Sequence, residues 1–103
     1  MASELHRERL DTVVRHLLDR GASRVLDLGC GPGELLQRLA AHPQFSRIVG
    51  IDIDAEALAA ARLALGLDRP DHACGVQLRC GSFEEVDREL AGFDAATLVE
   101  TIE

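Results

Sequence analysis

Val25-Leu26-Asp27-Leu28-Gly29-Cys30-Gly31-Pro32-Gly33 is an apolar run that ends in alternating glycines. Arg24 to Gly29 reads as a strand, and Gly31-Pro32-Gly33 breaks it. A helix follows directly: Glu34 to His42 carries Leu35, Leu36, Leu39 and Ala40 on one side and stops before Pro43. Arg47 to Ile53 (RIVGIDI) is then a second buried strand. Strand, glycine turn, helix and strand in immediate succession make a parallel crossover unit.

The rest of the chain extends this pattern in both directions. Ahead of it, Glu4 to Arg20 sets Leu10, Val13, Val14, Leu17 and Leu18 at helical spacing, and Gly21 supplies the C-cap. Behind it, Asp54 is a good N-cap for a helix over Ala55–Leu65, which Gly66 ends. Leu67–Gly75 is a loop, Val76–Cys80 a third strand, Phe83–Leu90 a helix, and Phe93–Val99 a fourth strand. Nearly all-apolar strands alternating with helices mean a parallel sheet with helices on its faces. With right-handed crossovers this is the α/β class, a Rossmann-like doubly wound sheet. The sequence ends at Glu103, just past the fourth strand, with no helix to cover it. The expectation is therefore one domain over residues 1–103, incomplete, the front half of a longer one.

Composition bounds the function. The chain has 103 residues, 47% hydrophobic and 28% charged, the balance of an ordinary globular domain and not of a disordered one. Aromatics are 3%, with neither Trp nor Tyr, which argues against a ring-stacking platform for RNA. The net charge is −7 and all eleven basic residues are Arg, so no basic cluster grips a polyanion here. No apolar run approaches the ~20 residues of a membrane span, and Met1–Arg9 has no signal-peptide core. Cys30, Cys74 and Cys80 are odd in number and lack Cys-x-x-Cys spacing, so a reducing cytoplasm is expected. Each cysteine reads as a small packing residue.

The glycine loop and two acids carry the first chemical signal. A strict Gly-x-Gly-x-x-Gly is absent, because Glu34 stands where the third glycine would fall. Gly29, Gly31 and Gly33 let the backbone approach a ligand at the carboxyl ends of the strands. Asp52 closes the second strand, placed to accept hydrogen bonds from both hydroxyls of a nucleoside ribose. Asp27 adds a carboxylate near the other end of the ligand, where it repels a pyrophosphate and favours an ammonium. A dinucleotide-dependent oxidoreductase and a tight structural turn are the two alternatives.

This combination resembles motif I and its acidic partner in S-adenosylmethionine-dependent methyltransferases of the Rossmann-like class. The resemblance implies that Gly29, Gly31 and Gly33 line the methionine portion of S-adenosylmethionine, with Asp27 acting at one remove. Asp52 would take the adenosine ribose, with Ile53 beside it. It also places Ser82 and Phe83 at the adenine, although Ser82 with Glu85 equally forms a capping box and Phe83 a core residue.

A narrower resemblance runs from about Gly21 to the end and is most specific in GFDAATLVETIE. It is to the 3′-terminal RNA ribose 2′-O-methyltransferases, which act on small silencing RNAs and in bacterial RNA repair. In that family the string continues into a Glu-x-x-Glu-His metal motif. Glu100 and Glu103 would then be ligands of Mn²⁺ or Mg²⁺, with Mn²⁺ the better fit to mixed carboxylate and imidazole donors. Read from the residues alone, they are two acids after a strand that share one face if the chain turns helical. The resemblance implies RNA 3′ ends as partner, bound through regions outside this chain, and an RNA end-healing or ligase protein beside it. No catalytic residue beyond the metal ligands is implied, and the chain alone is expected to be inactive and to bind cofactor weakly at best. Ubiquinone-pathway O-methyltransferases are similar here and form one rival; a non-catalytic interaction module on the same fold is another.

Overall fold

The computed structural model describes residues 4–67, 75–81 and 92–97. Three helices and four strands follow in the order α1 (Glu4–Asp19), β1 (Arg24–Leu28), α2 (Glu34–Ala40), β2 (Arg47–Asp52), α3 (Ala55–Leu65), β3 (Val76–Cys80) and β4 (Ala95–Thr97). The strands form one parallel sheet in the order β3-β2-β1-β4. Strand order reverses at β1, whose carboxyl end opens between β2 and β4. In open α/β sheets such a reversal point is where ligands bind. The glycine loop leaves β1 there.

Helix α3 has the expected bounds, while α1 and α2 end at Asp19 and Ala40, short of the expected Arg20 and His42. Asp54 caps α3, its Oδ1 accepting from the backbone N–H of Glu56 and Ala57 at 3.0 and 3.4 Å. Gly66 and Gly21 close α3 and α1 in left-handed conformations. After Gly21, the Ala22 N–H returns to the Leu17 carbonyl at 3.1 Å. The expected Phe83–Leu90 helix lies outside the described residues.

β1 ends at Leu28 and not Gly29, which turns into the loop with φ 70°, and two further strand boundaries differ for identifiable reasons. β2 ends at Asp52 and not Ile53, because the Asp52 carboxylate turns back to accept from the Asp54 N–H at 2.8 Å. β4 begins at Ala95 and not Phe93. Phe93 instead packs beside Leu26, Val49 and Ile51, and Asp94 spends its carboxylate on the start of β1. Asp94 accepts from the Ser23 and Arg24 N–H groups at 2.9 and 3.0 Å and pairs with the Arg24 guanidinium at 3.0 Å.

The core is split by the sheet. On one face Leu10, Val14 and Leu17 of α1, Leu35, Leu36 and Leu39 of α2, and Leu58 of α3 pack with Val25, Ile48 and Cys30. On the other face Leu26, Val49 and Ile51 form a smaller cluster with Phe93. Gly50 is fixed by this packing: a Cβ there would lie 2.7 Å from Leu36 Cδ1 and 3.0 Å from Cys30 Sγ. Only glycine lets α2 and the loop sit that close to β2. Among the described residues no helix is long and apolar enough to cross a membrane.

Candidate functional site

The loop 29–33 turns through three left-handed glycines, Gly29, Gly31 and Gly33, with φ of 70°, 56° and 89°. L side chains rarely adopt these conformations. Gly33 has a second constraint, since a Cβ there would meet Ala61 Cβ at 3.0 Å. Cys30 between them is fully buried in the core, as its packing role requires.

The loop's own N–H groups are already used. Those of Gly29 and Cys30 donate to the Ile51 carbonyl at 2.7 and 3.1 Å, and that of Gly33 to the Cys30 carbonyl at 3.1 Å. The Gly31 N–H donates to Asp52 Oδ2 at 2.8 Å. A pyrophosphate-binding glycine loop presents such donors to its ligand. This one presents its backbone surface and the half-buried Asp52 carboxylate, with Asp27 behind it.

Those carboxylates share a face of the sheet. Asp27 is in register with Gly50 and Thr97, and two residues along β2 comes Asp52. Asp52 is half-buried, and both of its oxygens accept backbone N–H bonds, from Gly31 and Asp54. A carboxylate has about four acceptor positions, so it retains capacity for hydroxyl donors. The structure thus adds to the expected ribose role: Asp52 also fixes the glycine loop. Ile53 next to it is 73% exposed and forms an apolar wall at the rim.

The sequence puts Asp27 near the other end of the ligand, acting at one remove. It is fully buried, beneath the loop. Thr97 Oγ1 donates to its Oδ1 at 2.9 Å, while Oδ2 has no hydrogen-bond partner among the described residues. Burial pushes its pKa up to about 7, against the pull of the Thr97 hydrogen bond and with a further push from the Asp52 charge. Sequence reasoning missed Thr97 and Gly50; the parallel register that brings Thr97 opposite Asp27 is a long-range fact, absent from any local pattern.

Ser82, Phe83, Glu100 and Glu103 lie outside the described residues. Among the described residues no group of three or more His, Cys, Asp or Glu could hold a metal ion. Cys80 is an exposed thiol and not the packing residue expected. A cavity of about 480 Å³ lies at the outer edge of β3, lined by Arg62, Leu67, Val76, Gln77, Leu78 and Arg79, and contains none of the expected site residues.

Residues 25–103 match the family model of the methyltransferase domain. The chain belongs to the methyltransferase-domain family. Its fold superposes on the methyltransferase domain of bacterial CtHen1-CN with a TM-score of 0.84 and 37% identity, covering 92% of this chain and 50% of that one. It is 35% identical over 103 residues to the small RNA 2′-O-methyltransferase of Arabidopsis thaliana, 96% of this chain and 11% of that protein. It is also 37% identical over 101 residues to the ubiquinone biosynthesis O-methyltransferase of Aromatoleum aromaticum, 97% of this chain and 40% of that protein. This methyltransferase domain therefore spans half or less of the length of each of these relatives.

Proposed function

We propose that this chain is the cofactor-binding half of an S-adenosylmethionine-dependent methyltransferase acting on the 2′-oxygen of the 3′-terminal ribose of RNA. One observation carries the choice of cofactor: the loop's N–H groups are satisfied internally, and Asp27 and Asp52 stand on one face beside it. That arrangement favours a cationic ligand and opposes a dinucleotide pyrophosphate. The RNA substrate is supported by the likeness to the plant small RNA enzyme and the CtHen1 domain.

The residues divide the ligand between them. The glycine turn would admit the methionine portion close to the backbone, with the buried Asp27 carboxyl beneath its amino group. Asp52 accepts from the ribose hydroxyls, and Ile53 covers the apolar edge of the nucleoside. Ser82 and Phe83, which lie outside the described residues, would by the same resemblance serve the adenine. S-adenosylmethionine, when bound, would supply its sulfonium methyl group to the ribose 2′-oxygen, with the hydroxyl proton and S-adenosylhomocysteine as the other products. Glu100 and Glu103 would hold Mn²⁺ or Mg²⁺ together with histidines beyond this chain. Such an ion, when bound, grips a terminal diol and lowers its pKa. An RNA end-healing or ligase protein is the partner that would supply such ends, in the cytoplasm.

The ubiquinone-type relative supports a second reading, methylation of a catechol-like oxygen. Methyl transfer separates them when the chain is assayed alone and fused to the second half of the CtHen1 domain, with Mn²⁺ present. The expected outcome is turnover by the fusion on RNA ending in a free 2′,3′-diol. Periodate-oxidised RNA should not react, and the chain alone should give no product. Methylation of a catechol but not of RNA would overturn the RNA reading.

A further inference from the structure

The proposed function uses Asp27 and leaves Thr97 without a role. Thr97 is nevertheless the polar member of β4, which is otherwise Ala95 and Ala96 over its described length. It is 8% exposed, and its hydroxyl reaches across the switch point to Asp27 Oδ1 at 2.9 Å. A buried hydroxyl that merely filled space would be replaced at no loss by valine. Here it has an acceptor, and the acceptor's second oxygen has no partner among the described residues.

We propose that Thr97 is a positioning residue for cofactor binding: it pins Asp27 through Oδ1 and so aims Oδ2 at the amino group of the bound sulfonium cofactor. The inference rests on the reading of S-adenosylmethionine as the ligand, and extends it to a residue on a different strand.

The arrangement makes cofactor uptake a proton-linked event. A buried carboxyl with one hydrogen bond is poorly stabilised as an anion, and it holds its proton until a cation arrives. Among the described residues, the elements packed on this side carry His6 and Asp11 on α1, Glu34 and Arg38 on α2, the buried Cys30 in the loop and Asp52 on β2. His6 contacts Glu34 at 3.5 Å and Arg38 pairs with Asp11 at 2.9 Å, and it is the Asp52 charge that opposes ionisation of Asp27. An ammonium against Oδ2 reverses that opposition, so binding below about pH 7 releases a proton from Asp27.

The test is calorimetric titration of the 103-residue chain with S-adenosylhomocysteine at pH 6.5, in two buffers of different ionisation enthalpy. Thr97→Val and Thr97→Ser are measured alongside. The wild type should release protons on binding. Thr97→Val should bind on the order of tenfold more weakly, the loss of one hydrogen bond to a charged group. Its affinity profile should move to higher pH, because the bond that pulls Asp27 down is gone. Thr97→Ser should restore both affinity and profile. A carbon-13 titration of the Asp27 carboxyl without cofactor should show the same upward move in Thr97→Val. Wild-type affinity and profile in Thr97→Val would overturn the role of Thr97 while leaving the cofactor reading intact. A wild type that does not bind would overturn both.

Discussion

Asp27 and Asp94 are both carboxylates at strand ends, and their surroundings drive them in opposite directions. Asp27 sits in the core with one hydrogen bond, so burial lifts it from 3.8 to about 7. Between those values the unfolded chain has lost the proton that the folded chain keeps. Stability of the cofactor-free chain should therefore fall as pH rises through this window, by up to about 4 kcal/mol. Urea unfolding from pH 4.5 to 8 checks this, with Asp27→Asn as the reference that lacks the slope. Equal slopes in the two proteins would contradict the buried placement. The sequence showed Asp27 as an acid near a ligand, but not that it is buried or paired with Thr97. The difference lies in a separation of 70 positions along the chain, which local patterning does not encode.

At the scale of elements, the registration of β4 on β1 decides the site. The pairing Val25↔Ala95, Leu26↔Ala96, Asp27↔Thr97 is anchored at its lower end by Asp94. Its carboxylate receives two backbone N–H groups and the Arg24 guanidinium, which hold it well below the ordinary carboxylate range. The Asp94 contribution is complete above the ordinary value of 3.8 and is lost as pH falls below it. Asp94→Asn should thus be less stable than wild type at neutral pH and converge with it in acid, measured by unfolding at pH 7 and pH 2.5. A constant difference between the two would show that the carboxylate charge has no part in fastening β4. The helices and strands themselves were legible because each carries its own punctuation: Asp54 and Gly66 around α3, Gly21 after α1, apolar runs in β1 and β2. The start of β4 was less so, since Phe93 and Asp94 look like strand residues and act as packing and fastening groups.

For the whole molecule, one parallel sheet with its order reversing at β1 brings a spent glycine loop, Asp52 and the buried Asp27–Thr97 pair to a single rim. The glycines and both acids were readable in advance as a ligand site. The internal use of the loop's N–H groups was not, because it depends on where β2 ends against the loop. That use is what separates a methyl-donor site from a dinucleotide site on the same fold. Titration of the 103-residue chain with S-adenosylmethionine and, separately, with NAD tests this most directly, with Asp52→Ala as control. The account predicts weak but saturable binding of S-adenosylmethionine, its loss in Asp52→Ala, and no binding of NAD. Saturable binding of NAD, or silence toward S-adenosylmethionine in the folded wild-type chain, would contradict it.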